Sequence, residues 1–184
     1  MLGDVSGKGV SASVLMVHLH AMFRTLIPVG LPLALMLERA SGLFCESTPA
    51  SHYATLACVR ADDTGAVEIG NAGHLPLLLL RAGDLQRLDA TGLPLGMFCT
   101  ETFSVHRHHL EPGDTLMVYS DGLTEARNPA GEEYGLDRLV DVAQRHRRDE
   151  PGILIDRCLA SLAAFQAGTA PHDDLTIMAI RRAA

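Results

Sequence analysis

Three acidic clusters hold the residue types most able to do chemistry: Gly3-Asp4-Val5-Ser6-Gly7, Ser120-Asp121-Gly122 and His172-Asp173-Asp174. Each lies where a strand-like run meets a turn, so Asp4, Asp121, Asp173 and Asp174 can aim carboxylates at one point. Hard divalent cations such as Mg²⁺ and Mn²⁺ choose oxygen ligands, and a loose set of Asp residues with bridging waters suits them better than His or Cys. Taken singly, each cluster has a plainer reading: Asp-Gly is a common turn, Asp173 could turn the chain before a last strand, and Asp4 could be a loop residue. The combination points to metal, because Leu116–Ser120 would otherwise be a buried strand that ends for no reason at an acidic glycine turn.

Other chemistries fit less well. Gly3-Asp4-Val5-Ser6-Gly7-Lys8-Gly9 is glycine-rich and precedes a helix, but a nucleotide P-loop needs four residues between its glycines and a Ser or Thr after the lysine. The chain has neither a Cys followed by a phosphate-cradling Gly-Arg loop nor a Gly-x-Ser-x-Gly nucleophile elbow. His74, in Asn71-Ala72-Gly73-His74, is a candidate general acid, since an imidazole can protonate a departing serine oxygen. The alternative is that Asn71 and His74 satisfy backbone groups around a tight turn shaped by Gly73. His18, His20, His106, His108 and His109 read as structural or solvated.

The elements that must position these groups follow from periodicity. Leu15, Leu19, Met22 and Leu26 recur at helical spacing between Val10 and Ile27, which predicts a long, mostly buried helix. A second helix is expected from Pro32 through Phe44. Tyr53–Val59 and Ala66–Gly70, joined by Asp62-Asp63-Thr64-Gly65, read as a hairpin. Further strands are expected at Leu77–Arg81, Leu85–Leu88, Phe103–His109 and Thr115–Ser120, then helices at Leu136–His146 and Pro151–Phe165, and a last strand at Leu175–Arg181. This order indicates an α+β fold of antiparallel sheet packed against helices, not alternating βαβ units.

Composition bounds the rest. A chain of 184 residues, 47% apolar, is long enough for one compact domain over 1–184. Its apolar runs read as too short to span a membrane, so a soluble protein without a membrane partner is expected. A net charge of −7 without a basic stripe argues against nucleic acid, and the Arg145–Arg148 cluster reads as a solvated helix end. Cys45, Cys58, Cys99 and Cys158 include no CxxC pair and read as buried free thiols. With no secretion signal in the sequence, a cytoplasmic location is expected.

Five ordered motifs carry a family resemblance: GDVSGKG (3–9), NAGHLPLLLL (71–80), GLPLG (92–96), GDTLMVYSDGLTEARN (113–128) followed by GEEYG, and HDDLTIMAIRR (172–182). They resemble the SpoIIE type of bacterial protein phosphatase, a branch of the metal-dependent protein phosphatase 2C superfamily. The resemblance implies an α-β-β-α sandwich of mainly antiparallel sheets flanked by helices, with a two-metal Mn²⁺ or Mg²⁺ centre. It implies Asp4, the Val5 carbonyl, Asp121 and Asp173 as ligands, with Asp174 in support. Catalysis would run through metal-activated water held by Asp4, Asp121 and Asp173, with His74 as the candidate acid. The substrate would be phosphoserine or phosphothreonine on a regulatory protein, with an anti-anti-sigma factor as the family's suggestion. The family normally has an earlier Gly-Gly-Asp-x-x-Asp motif on a preceding strand, absent before Met1. The domain therefore reads as N-terminally incomplete, lacking its first strand or strands. Three expectations follow: incomplete occupancy of the metal centre, a homodimer through the exposed sheet edge, and, as an alternative function, a non-catalytic phosphoprotein-binding or signalling module.

Overall fold

The computed structural model describes residues 1–49, 51–170 and 173–183. The chain forms two compact units, one from Met1–His74 with Asp89–His109, the other from Leu75–Leu88 with Leu110–Ala184. Each contains a four-stranded antiparallel sheet with its own helices, as the α+β expectation requires.

In the first unit the strands β1 (Leu2–Val5), β2 (Ala54–Ala61), β3 (Ala66–Ala72) and β6 (His106–His109) lie in the order β1-β2-β3-β6, so β1 stands at an edge. Helices α1 (Gly9–Leu26) and α2 (Leu33–Ser47) cover one face. Phe23, Leu37 and Phe44 are fully buried against Val5, Ala54 and Leu56. The β2–β3 turn is closed by Asp62, whose Oδ1 accepts hydrogen bonds from the Thr64 and Ala66 amides, each at 3.0 Å. With the Thr64 hydroxyl these bonds hold the Asp62 carboxyl below its ordinary pKa.

In the second unit β4 (Leu77–Leu80) lies between β5 (Leu85–Leu88) and β7 (Thr115–Tyr119), and β8 (Ile177–Arg181) pairs with the far side of β7. Every residue of β4 and β7 is buried, which accounts for their continuous apolar runs. The helices α4 (Gly135–Arg145) and α5 (Pro151–Gln166) pack Leu139, Leu154, Cys158 and Leu162 against Leu78, Leu80, Met117 and Tyr119. Tyr134 seats its ring edge-on to Phe165 and donates its hydroxyl to Ser161 Oγ at 2.8 Å.

Four expectations are corrected. The first helix is not mostly buried: only Leu19, Met22 and Phe23 are, while Val10, Val14 and Val17 are 83%, 62% and 68% exposed. Its apolar residues run around the cylinder, and the sheet covers one side only. With the 3-10 turn that follows it, this helix spans 21 residues, Gly9–Val29, and by length and composition is apolar enough to cross a membrane. Strand β6 begins at His106 rather than Phe103, because Phe103 leaves the sheet to join the helical core and lies against Gly92. Finally, Cys45 and Cys99 are not free thiols. They form a disulfide, with Cα atoms 5.3 Å apart, that ties the end of α2 to the loop after Gly96. A sequence separation of 54 residues carried no sign of that pairing, and disulfides favour oxidising surroundings.

Cys58 and Cys158 are free and buried as expected, and burial raises both thiol pKa values, that of Cys158 to about 11. With so little thiolate at pH 8, the native protein is expected to show no fast reaction with a disulfide dye. Unfolding without reductant should release two reactive thiols, and four after reduction. A fast native thiol at Cys99 would disprove the bond.

Candidate functional site

The Asp4 cluster is built by the β1–β2 ladder. Register pairs Gly3 with Leu56, Asp4 with Thr55 and Val5 with Ala54. Side chains alternate across a strand, so Val5 and Ala54 enter the helical core, while Asp4 and Thr55 share the opposite face. Gly3 is closely packed: a Cβ there would lie 2.9 Å from Leu56 Cδ1, the movable end of a side chain, and 3.1 Å from the Thr55 carbonyl. Beyond β1, Ser6 fastens the loop to the start of β2. Its amide donates to the Tyr53 carbonyl, and its Oγ accepts from the Tyr53 amide, both at 2.9 Å. Gly7 and Gly9 then take left-handed φ values of 98° and 75° on either side of Lys8 as the chain enters α1.

His74 lies in the same unit. Asn71 Oδ1 accepts its amide at 2.8 Å, and Gly73 adopts φ 63° where a Cβ would meet the Pro94 ring at 2.5 Å. Asn71 therefore does the turn-closing work foreseen for it. The His74 ring is engaged elsewhere, with Nδ1 3.0 Å from Thr55 Oγ1.

In the second unit β7 and β8 bring two acidic clusters side by side. The Asp-Gly turn expected after β7 is instead a short helix, α3 (Asp121–Thr124), whose first residue is Asp121. Ser120 links it to the approach to β8: its amide donates to the Thr176 carbonyl at 2.9 Å, and its Oγ donates to the Asp174 carbonyl at 3.0 Å while accepting from the Thr176 amide at 2.8 Å. The Asp173–Asp174 backbone crosses directly over Gly122, where a Cβ would fall 2.3 Å from the Asp174 carbonyl oxygen. Only glycine permits that approach. Asp121 is half-buried, whereas Asp173 and Asp174 are exposed, with the Asp174 amide on Asp173 Oδ1 at 2.9 Å. His172 of the third motif lies outside the described residues.

Within the second unit, Asp121, Asp173 and Asp174 are of the chemistry that suits a hard divalent cation: exposed or half-exposed carboxylates next to glycine-shaped backbone. Among the described residues no three His, Cys, Asp or Glu side chains stand together as a ready-made metal cage. Sequence reasoning missed Thr55, and it gave Ser6 and Ser120, though inside the acidic clusters, no role of their own. Hydroxyls in strands and turns are common, and only the three-dimensional pairing singles these out.

The chain is matched over residues 1–183 by the family described as Stage II sporulation protein E (SpoIIE). It is similar to Phosphoserine phosphatase RsbU of Bacillus subtilis, 28% identical over 186 residues, covering 98% of this chain and 54% of that protein. Protein IcfG of Synechocystis is 34% identical over 113 residues, covering 61% of this chain and 18% of that protein. The chain thus spans about half of one relative and under a fifth of the other. Among solved structures, the SiaA-PP2C domain of Pseudomonas aeruginosa superposes with a TM-score of 0.84 at 21% identity, over 98% of this chain and 73% of that one. This likeness bears on the fold, an α+β arrangement of the PP2C type.

Replacing Ser120 with Ala removes the hydroxyl from both the Asp174 carbonyl and the Thr176 amide. The expected cost is about 1–3 kcal/mol of stability, read by denaturant unfolding, with faster proteolysis at 173–176. An unchanged midpoint and cleavage rate would show that Ser120 does not hold this segment.

Proposed function

Because the chain belongs to the Stage II sporulation protein E family, we propose that it is a metal-dependent protein serine/threonine phosphatase. Its substrate is a phosphoserine or phosphothreonine on a regulatory protein, with an anti-anti-sigma factor the first candidate to try. The observation that carries this reading is the placement of Asp121 beside Asp173-Asp174, with Gly122 reserved for the crossing backbone. A second observation supports it: β1 and the Ser6 link hold Asp4 at the head of a glycine loop.

Asp4, the Val5 carbonyl, Asp121 and Asp173 are the proposed ligands, with Asp174 in support, for Mn²⁺ or Mg²⁺. When bound, a pair of such ions activates water for in-line attack and offsets charge on the phosphoryl oxygens. The protein's own part is to hold those carboxylates on short, anchored turns and to offer His74 as the acid for the departing oxygen. The whole of 1–184 is proposed to act as one phosphatase domain. Strand β1, at the edge of its sheet, is proposed as the site of homodimer pairing.

The test is Mn²⁺-dependent phosphate release from a phosphoserine protein. Asp121→Asn is expected to lower the rate by at least about 100-fold, and chelation by EDTA should do the same. A wild-type chain that binds the phosphoprotein without hydrolysing it would replace this reading with that of a non-catalytic binding module.

A further inference from the structure

The GLPLG motif (92–96) has no task in the proposed chemistry, and the chain runs from it directly into the disulfide. We propose that residues 97–102 form a strap, and that the Cys45–Cys99 bond is a reversible thiol–disulfide latch that holds the strap down. Closed, the latch stiffens the motif's support of the Asp4 strand and of the Asn71–His74 turn. Opened by a dithiol, it loosens that support. Its effect on catalysis rests on the phosphatase reading above.

Both ends of the strap are buried. At one end Gly96 adopts φ 80°, donates its amide to the buried Ser41 Oγ at 3.1 Å, and leaves room for Phe44 where a Cβ would fall 2.5 Å away. At the other end Phe103 sits in the helical core and packs back against Gly92. Between them Met97, Phe98, Cys99 and Thr100 are exposed. The hydrogen bonds of this span are long. Ser41 Oγ reaches the Phe98 carbonyl at 3.5 Å, the Met97 amide reaches the Pro94 carbonyl at 3.3 Å, and the Glu101 amide reaches the Phe98 carbonyl at 3.4 Å. Bonds of that length are weak, so the disulfide is the strong tie between the strap and α2.

The motif carries this tie inward, within the first unit. Leu95 and Ala54 exchange both backbone hydrogen bonds, at 2.8 and 2.9 Å, which pairs the residue before Gly96 with the first residue of β2. Ala54 in turn is the cross-strand partner of Val5, next to Asp4. Pro94 lies against Gly73, and the Gly92 carbonyl accepts the Gly73 amide at 2.9 Å, beside His74. A loosened strap therefore slackens two supports of the proposed chemistry at once.

The bond is placed for exchange. Cys99 is exposed and Cys45 half-buried, and exposed disulfides are the labile, regulatory kind. A dithiol reductant supplies the two electrons. One of its thiolates attacks Cys99 Sγ, the S–S bond breaks, and Cys45 leaves as a thiolate that takes a proton. The reductant's second thiolate attacks the mixed disulfide and departs as an internal disulfide, while Cys99 leaves as a thiolate and takes a proton. A small disulfide such as oxidised glutathione runs the exchange backwards, its two halves leaving as thiols. Cys58 and Cys158 are buried with raised thiol pKa values, so neither competes for the bond.

The experiment treats the folded chain with excess dithiothreitol and then with oxidised glutathione, and follows amide hydrogen exchange and phosphate release. Reduction is expected to free the thiols of Cys45 and Cys99 without unfolding. It should speed exchange over 97–102 at least about tenfold, and at the Leu95 and Ala54 amides by a smaller factor. The phosphate-release rate should fall at least about threefold, and oxidation should restore it. A Cys45→Ser/Cys99→Ser double variant should match the reduced wild type and ignore dithiothreitol, which separates the latch from any action of the reductant on the metal. Should that variant fail to fold, wild type reduced, alkylated at Cys45 and Cys99 and freed of dithiothreitol gives the same comparison. A bond that dithiothreitol cannot open in the folded protein, or exchange or a rate that reduction leaves unchanged, overturns the latch. A chain that releases no phosphate in either state overturns the phosphatase reading alone, and exchange at Leu95 and Ala54 then decides the latch by itself.

Discussion

Strand register is the constraint on which the candidate chemistry depends. Sliding β1 by one residue against β2 would carry Asp4 to the face where Val5 and Ala54 meet the helices, and would turn Val5 out of the core. The hydrophobic pattern forbids that slip: Leu56 and Ala54 need the α1–α2 side, where they join the helical core, and Gly3 lies close beside Leu56. Burial on one face of the sheet therefore fixes the placement of a carboxylate and a hydroxyl on the other. The β7–β8 ladder acts in the same way, since pairing Tyr119 with Ile177 sets Ser120 opposite Thr176 and brings Asp173-Asp174 over Gly122.

Glycine and hydroxyl residues convert those ladders into sites. Gly122 and Gly73 remove the Cβ where backbone or proline comes within about van der Waals contact. Ser6, Ser120 and Thr55 each supply a hydroxyl where a strand ends or a turn must be fastened. Backbone groups at such places need partners, and a short side chain can reach them without disturbing the ladder.

Much of the fold was legible from the chain alone because its elements are strongly patterned. The Asp62–Gly65 turn, the four-leucine strand β4 and the apolar stripe of α4 each declare themselves locally. What failed was whatever depends on neighbours. The exposure of Val10, Val14 and Val17 follows from how much of α1 the sheet can cover, and periodicity does not report that. The Cys45–Cys99 pairing depends on where a distant loop lands. The departure of Phe103 from its expected strand reflects a better berth in the helical core than on a sheet edge.

The candidate site divides along the same line. The sequence by itself determined the residue types: Asp4, Asp121, Asp173 and Asp174 beside glycines, an imidazole at His74, and the motif order that carries the family. Carboxylates next to glycine turns are a local signal that survives without coordinates. Only the tertiary structure decided that Ser120 clasps Asp174, that Asp121 opens a helix instead of a turn, and that Thr55 meets the His74 ring. The physical reason is that each of these is a contact across a ladder or between a turn and a strand. Its partners lie 19 to 54 residues apart in sequence for the two hydroxyl bonds, and only folding brings them together.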